Sequence, residues 1–141
     1  SWREQFDISG WSAEMDLSMT LSTLSESGLQ GDYQLAFLDD ASCQWQPLGE
    51  ERLQAAGQGR YLEQAQAKDC ALYESDFNWQ LSGGLLHQQP ESERERDTCQ
   101  ADWQPVAEPV DFKCRVYQPD DSGFYCLVQD EERFDVYRYR R

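Results

Sequence analysis

Apolar and polar residues alternate with period two through much of this chain. Met15, Leu17, Met19 and Leu21 interleave with Asp16, Ser18, Thr20 and Ser22, the spacing of a strand with one buried face. Ser25-Glu26-Ser27-Gly28 interrupts the pattern. Tyr33, Leu35 and Phe37 then predict a second strand ending at Asp39-Asp40, and Cys43 with Trp45 a short third one closed by Pro47 and Gly49. Residues 50–73 lose the alternation. Rich in Ala, Gln, Glu and Leu but broken by Gly57 and Gly59, they predict one short helix near 50–56 and another near 61–72. Phe77, Trp79 and Leu81 alternate again, and Gly83-Gly84 suits a two-residue hairpin turn. That turn sets Leu81 opposite Leu86 and Gln80 opposite His87, leaving His87 on the polar face.

Residues 88–105 read as a long polar excursion carrying Pro90, Glu91, Glu93, Arg94, Glu95, Arg96 and Asp97. Loops of this length in a compact domain tend to be functional or disordered. Cys99 and Trp103 predict that its far end is pinned to the core. In the last third, Val110, Phe112, Cys114 and Val116 share one parity. A turn at Pro119–Gly123 follows, and Phe124, Cys126 and Val128 return on the same face. With Phe134 and Val136 added after a second turn, the pattern predicts a three-stranded meander with a buried even-numbered face. The opposite face carries Tyr117, Tyr125, Leu127, Tyr137 and Tyr139, a surface either covered by another layer or used for contact.

These elements describe a mainly β, antiparallel domain spanning residues 1–141, arranged as a sandwich or as a sheet with one or two short helices on one face. No repeat of fixed period appears, which excludes a solenoid or propeller.

Composition sharpens the picture. Leu, Ile, Val and Phe make up under a fifth of the chain, and its formal net charge is −15, values that border on disorder. Five Trp, seven Tyr, six Phe and five Cys supply large buriable rings and staples instead. Cys43, Cys70, Cys99, Cys114 and Cys126 lack the close pairs of a zinc site or a redox C-x-x-C, so they predict a disulfide framework with one thiol left over. That framework places the chain outside the cytoplasm: periplasmic, cell-surface or secreted. The chain starts at Ser1 without Met, which with the cysteines predicts a removed signal peptide or membrane anchor. No apolar run reaches the length of a membrane span, and the net acidity argues against nucleic acid as a partner.

No catalytic constellation can be assembled. His87 is the only histidine, and the G-x-S-x-G elbow, the Walker loop, the dinucleotide fingerprint and the spaced oxygens of a calcium loop are all missing. No cofactor or metal is expected. The function that fits is non-catalytic protein binding of the inhibitor or immunity type, an acidic body steering toward a basic protein partner. Its contacts would come from the tyrosine face and from Glu91, Glu93, Glu95 and Asp97. Two other readings fit the composition: an accessory subunit of a cell-envelope assembly with its anchor removed, and a carbohydrate-binding module whose aromatic rings stack on sugars.

Overall fold

A computed structural model describes residues 25–39, 41–64, 70–129 and 134–141 of the protein. The strand expected over Met15–Leu21 and the turn at Asp130-Glu131-Glu132 lie outside the described residues. Among these residues, nine strands follow one short helix: α1 (Glu26–Leu29), β1 (Gly31–Asp39), β2 (Gln44–Leu53), β3 (Gln58–Gln64), β4 (Ala71–Ser82), β5 (Leu85–Glu95), β6 (Gln104–Pro105), β7 (Phe112–Asp120), β8 (Gly123–Gln129) and β9 (Phe134–Arg140). All pairings are antiparallel. β1 through β5 pair in chain order, β5 continues to β7, β8 and β9, and β9 returns to β1. The expected antiparallel, disulfide-stapled β domain is therefore a single eight-stranded closed barrel, neither a two-sheet sandwich nor an open sheet under helices. Closure suits so acidic and aliphatic-poor a chain, because it leaves no long strand edge exposed. The two-residue β6 is the exception and pairs on the outer part of β5.

Inward positions follow the period-two pattern. Tyr33, Leu35, Leu53, Phe77, Trp79, Leu86, Cys114, Val116, Phe124, Cys126 and Tyr139 form the buried core with Leu29 of α1. α1 closes one end of the barrel. The Tyr33 hydroxyl donates to the Leu29 carbonyl at 2.7 Å, and the Arg141 guanidinium donates to the Gly28 and Gln30 carbonyls, both at 2.7 Å. The buried Trp79 indole donates to the Gln58 carbonyl at 2.8 Å beside it. The Gly83-Gly84 hairpin has the expected register, Leu81 opposite Leu86 and Gln80 opposite His87. Both glycines have positive φ, as a primed two-residue turn requires.

Five sequence expectations need correction. Residues 50–56 and 61–72 are not helical. They form the second half of β2, a single 3-10 turn at Ala55–Gly57, β3 and the start of β4, around the undescribed residues 65–69. Tertiary pairing overrides helix propensity here: Glu51 and Leu53 alternate inward, and Gly59 lies where a Cβ would run into the Phe77 ring. The third strand does not stop at Pro47 and Gly49 but runs to Leu53. A bulge at Leu48 accommodates Pro47, and at Gly49 the Leu62 carbonyl approaches too closely for any side chain. Residues 88–95 belong to β5 rather than to a loop, with Glu91 as an unpaired bulge residue, so the true excursion is 96–111. Val110 precedes β7 and is exposed instead of buried.

The fifth correction concerns β9. Even-numbered residues of β7 and β8 do face the core, but Tyr139 pairs with Phe124 and Tyr137 with Cys126. The register across the β8–β9 turn swaps parity, so Tyr137 and Tyr139 turn inward and Val136 outward. A one-residue difference in a turn has this consequence in any sheet.

Two disulfides staple the barrel. Cys114–Cys126 joins β7 to β8 inside the core, and Cys70–Cys99 ties the start of β4 to the 96–111 excursion. Cys43, in the β1–β2 turn, is not disulfide-bonded. Chain-entropy arguments give roughly 3 kcal/mol for each bridge. Thiol titration of the protein unfolded without reductant should find one reactive Cys per chain, and five after reduction. Five before reduction would contradict both bridges.

Candidate functional site

Among the described residues, the barrel end opposite α1 is open. Toward that end the inward parity that carries Leu53, Phe77 and Leu86 continues into polar residues: Glu51 two positions before Leu53, Ser75 two before Phe77, and Gln88 two after Leu86. With Tyr61 and Glu63 of β3, Tyr73 of β4, Glu93 of β5, and Tyr137 and Tyr139 of β9, they line a cavity of about 320 Å³ that opens to solvent. Phe112 and the exposed Val110 stand at its edge. Mouths of β-barrels are a recurrent position for binding sites.

Glu51 forms the floor. It is only 4% exposed. The Gln88 side-chain amide donates to Glu51 Oε2 at 3.0 Å, and the buried Tyr139 hydroxyl donates to the same carboxyl. Burial pushes the Glu51 carboxyl up to about 7 against these two hydrogen bonds, which favour the charged form. The basic side chains paired among the described residues are engaged elsewhere: Arg52 with Asp32, Arg60 with Glu74 and Asp76, Arg94 with Glu74, and Arg96 with the Ala71 carbonyl. Glu51 is thus held by hydrogen bonds and by no cation among them.

The rim is acidic too. Ser75 Oγ lies 3.4 Å from Glu93 Oε1, and the Tyr73 hydroxyl also bonds Glu93. Burial raises the Glu63 carboxyl. The hydroxyls of Tyr61, Tyr73 and Tyr139 are all pushed up, first by burial and then by the nearby carboxylates. Tyr61, Tyr73 and Tyr139 therefore stay protonated as hydrogen-bond donors beside the carboxyl groups of the mouth. Among the described residues no three His, Cys, Asp or Glu side chains converge closely enough to hold a metal ion. The carboxylates line separate walls of the mouth.

The structure distributes the sequence-derived candidates unevenly. Glu93, Tyr137 and Tyr139 belong to the mouth. Tyr117, Tyr125 and Leu127 lie on the outer wall, where Tyr117, Tyr125 and Trp45 pack against the buried Leu38, Leu127 and Val136. The Arg138 guanidinium lies 4.5 Å from the Trp45 ring centroid. Glu91 points away from the cavity and accepts from Asn78 Nδ2 at 2.6 Å. Glu95 and Asp97 are exposed at and beyond the end of β5. His87 sits on the outer wall, its Nε2 2.9 Å from Asp111 Oδ2. The described tryptophans are engaged within the protein: Trp79 inside the barrel, Trp45 stacked with Tyr125, and Trp103 beneath the Arg94 and Arg96 guanidinium groups.

Glu51, Tyr61, Glu63, Tyr73, Ser75 and Gln88 were not among the sequence candidates. The signal that could have found them is polar residues continuing an apolar strand parity, which reads as noise until the strands close into a barrel with a wet end. Comparison with protein-family models, curated proteins and solved structures finds no match at a significant level.

Proposed function

We propose that this chain is a non-catalytic binding domain of the inhibitor or immunity type, which presents the acidic mouth of its barrel to a basic protein partner in an oxidising, extracytoplasmic compartment. The observation that carries this reading is the mouth itself, an open cavity with Glu93 and Glu63 at its rim and Glu51 at its floor. The exposed Val110 beside it offers an apolar contact next to the charges. A net charge of −15 favours approach of a cationic surface at long range. Two disulfides support the compartment. No helix among the described residues is long and apolar enough to cross a membrane.

The test uses decalysine as a probe, with decaglutamate as its counterpart, in calorimetric titrations at low and physiological salt. Decalysine should bind, with affinity falling steeply as salt rises. The double variant Glu63→Gln/Glu93→Gln should weaken it several-fold, while Glu50→Gln on the outer wall should leave it unchanged. Equal weakening by Glu50→Gln would mean that diffuse charge, not the mouth, does the binding, and absence of binding would remove the reading.

A further inference from the structure

The floor of the cavity raises a sharper question than the rim. A carboxyl buried this deeply is costly as an anion unless a cation pairs with it. Glu51 has two neutral donors, Gln88 and Tyr139, and no cationic partner among the described residues. No described side chain neutralises it, which leaves a proton, or a cation entering through the mouth, to do so.

The walls define which cation fits. Above Glu51 stand the rings of Tyr61, Tyr73 and Tyr137, whose edges and faces suit methylene groups and an ammonium alike. The volume of about 320 Å³ corresponds to roughly ten water molecules, room for a short linear chain. Glu63 and Glu93 nearer the opening give a second acceptor to any charge further along that chain. A primary ammonium carries three rotatable donors on a flexible stem, so it can reach Glu51 between the tyrosine rings. We propose that the barrel mouth is a receptor for an alkylammonium group, with Glu51 as the anchoring carboxylate and the tyrosine rings as the sleeve around the alkyl chain. The same chemistry is found in a free diamine or polyamine and in a lysine side chain of a protein. This inference deepens the preceding reading and takes its site from it, and its test separates the two.

Titrating the full chain with 1,4-diaminobutane, N-acetyl-lysine amide and 1,4-butanediol by calorimetry tests the proposal. At least one of the two amines should bind, and the uncharged diol should not. Glu51→Gln preserves shape and hydrogen bonding and should weaken amine binding roughly tenfold to a hundredfold, the range for a charge-assisted hydrogen bond. Near-UV circular dichroism checks that this variant stays folded. Glu93→Gln, further from the floor, provides a second variant with a smaller expected loss should Glu51→Gln misfold. Binding by the diamine alone marks a small-molecule amine as the source, and binding by the lysine amide marks a partner's side chain. If neither amine binds, if the diol binds as well as the amines, or if Glu51→Gln leaves amine affinity unchanged, the inference is overturned. Should decalysine still bind through the rim in that case, the docking reading stands without it.

Discussion

Phe124→Ala is expected to destabilise the protein by roughly 3–5 kcal/mol, the range for truncating a buried aromatic ring, read as a lowered urea midpoint at unchanged slope. Phe124 lies where three strands meet. Its ring stacks on Tyr139 with centroids 4.4 Å apart and meets Tyr33 edge-on at 5.2 Å. Tyr33 and Tyr139 contact each other as well. Truncation leaves a cavity beside the Tyr33 and Tyr139 rings, whose strands barrel closure holds in place, so the site has little freedom to collapse. Tyr125→Ala, one residue along but on the outer wall, should cost much less, on the order of 1–2 kcal/mol. Equal losses at the two positions would mean that the inner and outer faces of β8 are wrongly assigned.

That contrast also marks how far the sequence could be read. Strand parity in β7 and β8 and the Gly83-Gly84 hairpin register were legible, because local alternation and turn chemistry determine them without reference to the rest of the chain. Tyr137 and Tyr139 were misplaced because the parity of β9 depends on a turn whose length in the ladder cannot be counted from composition. Residues 50–73 were misread for a related reason. Their helix formers have weak preferences, and only pairing with β1 and β4 makes them strands. The floor residue Glu51 was invisible for the same cause, since a glutamate among helix formers reads as a solvated charge. Of the mouth, Glu93, Tyr137 and Tyr139 stand out in the sequence, but as parts of two unrelated surfaces. Closing the sheet brings them together.

Glu51 should also leave its mark on the pH dependence of stability. Its carboxyl is raised from the ordinary 4.5 to about 7 by burial. In the unfolded chain it loses its proton near the ordinary value, and in the folded barrel only near 7. Below pH 4.5 both states hold the proton and the folded state keeps its full stability. Between these values the folded state binds more protons, so stability falls as pH rises, by roughly 3 kcal/mol in all, and then levels off above the folded value. Glu63, raised by burial in the same cavity, adds a change of the same sign. Asp120, lowered by its Ser122 hydrogen bonds, acts in the opposite sense at lower pH, where its contribution is lost on protonation. Self-repulsion of the acidic chain also grows with pH, but it is nearly common to the wild-type protein and a single-site variant. Comparing the wild type with Glu51→Gln therefore isolates the floor carboxyl from Glu63, Glu93 and the bulk charge. The variant, neutral at every pH, should show a flatter stability curve between pH 4.5 and 7 and should be the more stable protein relative to wild type at pH 8 than at pH 4.5. Parallel curves for the two proteins, measured by urea unfolding across this range, would mean that Glu51 reaches water in the folded state and is not the buried floor of the mouth.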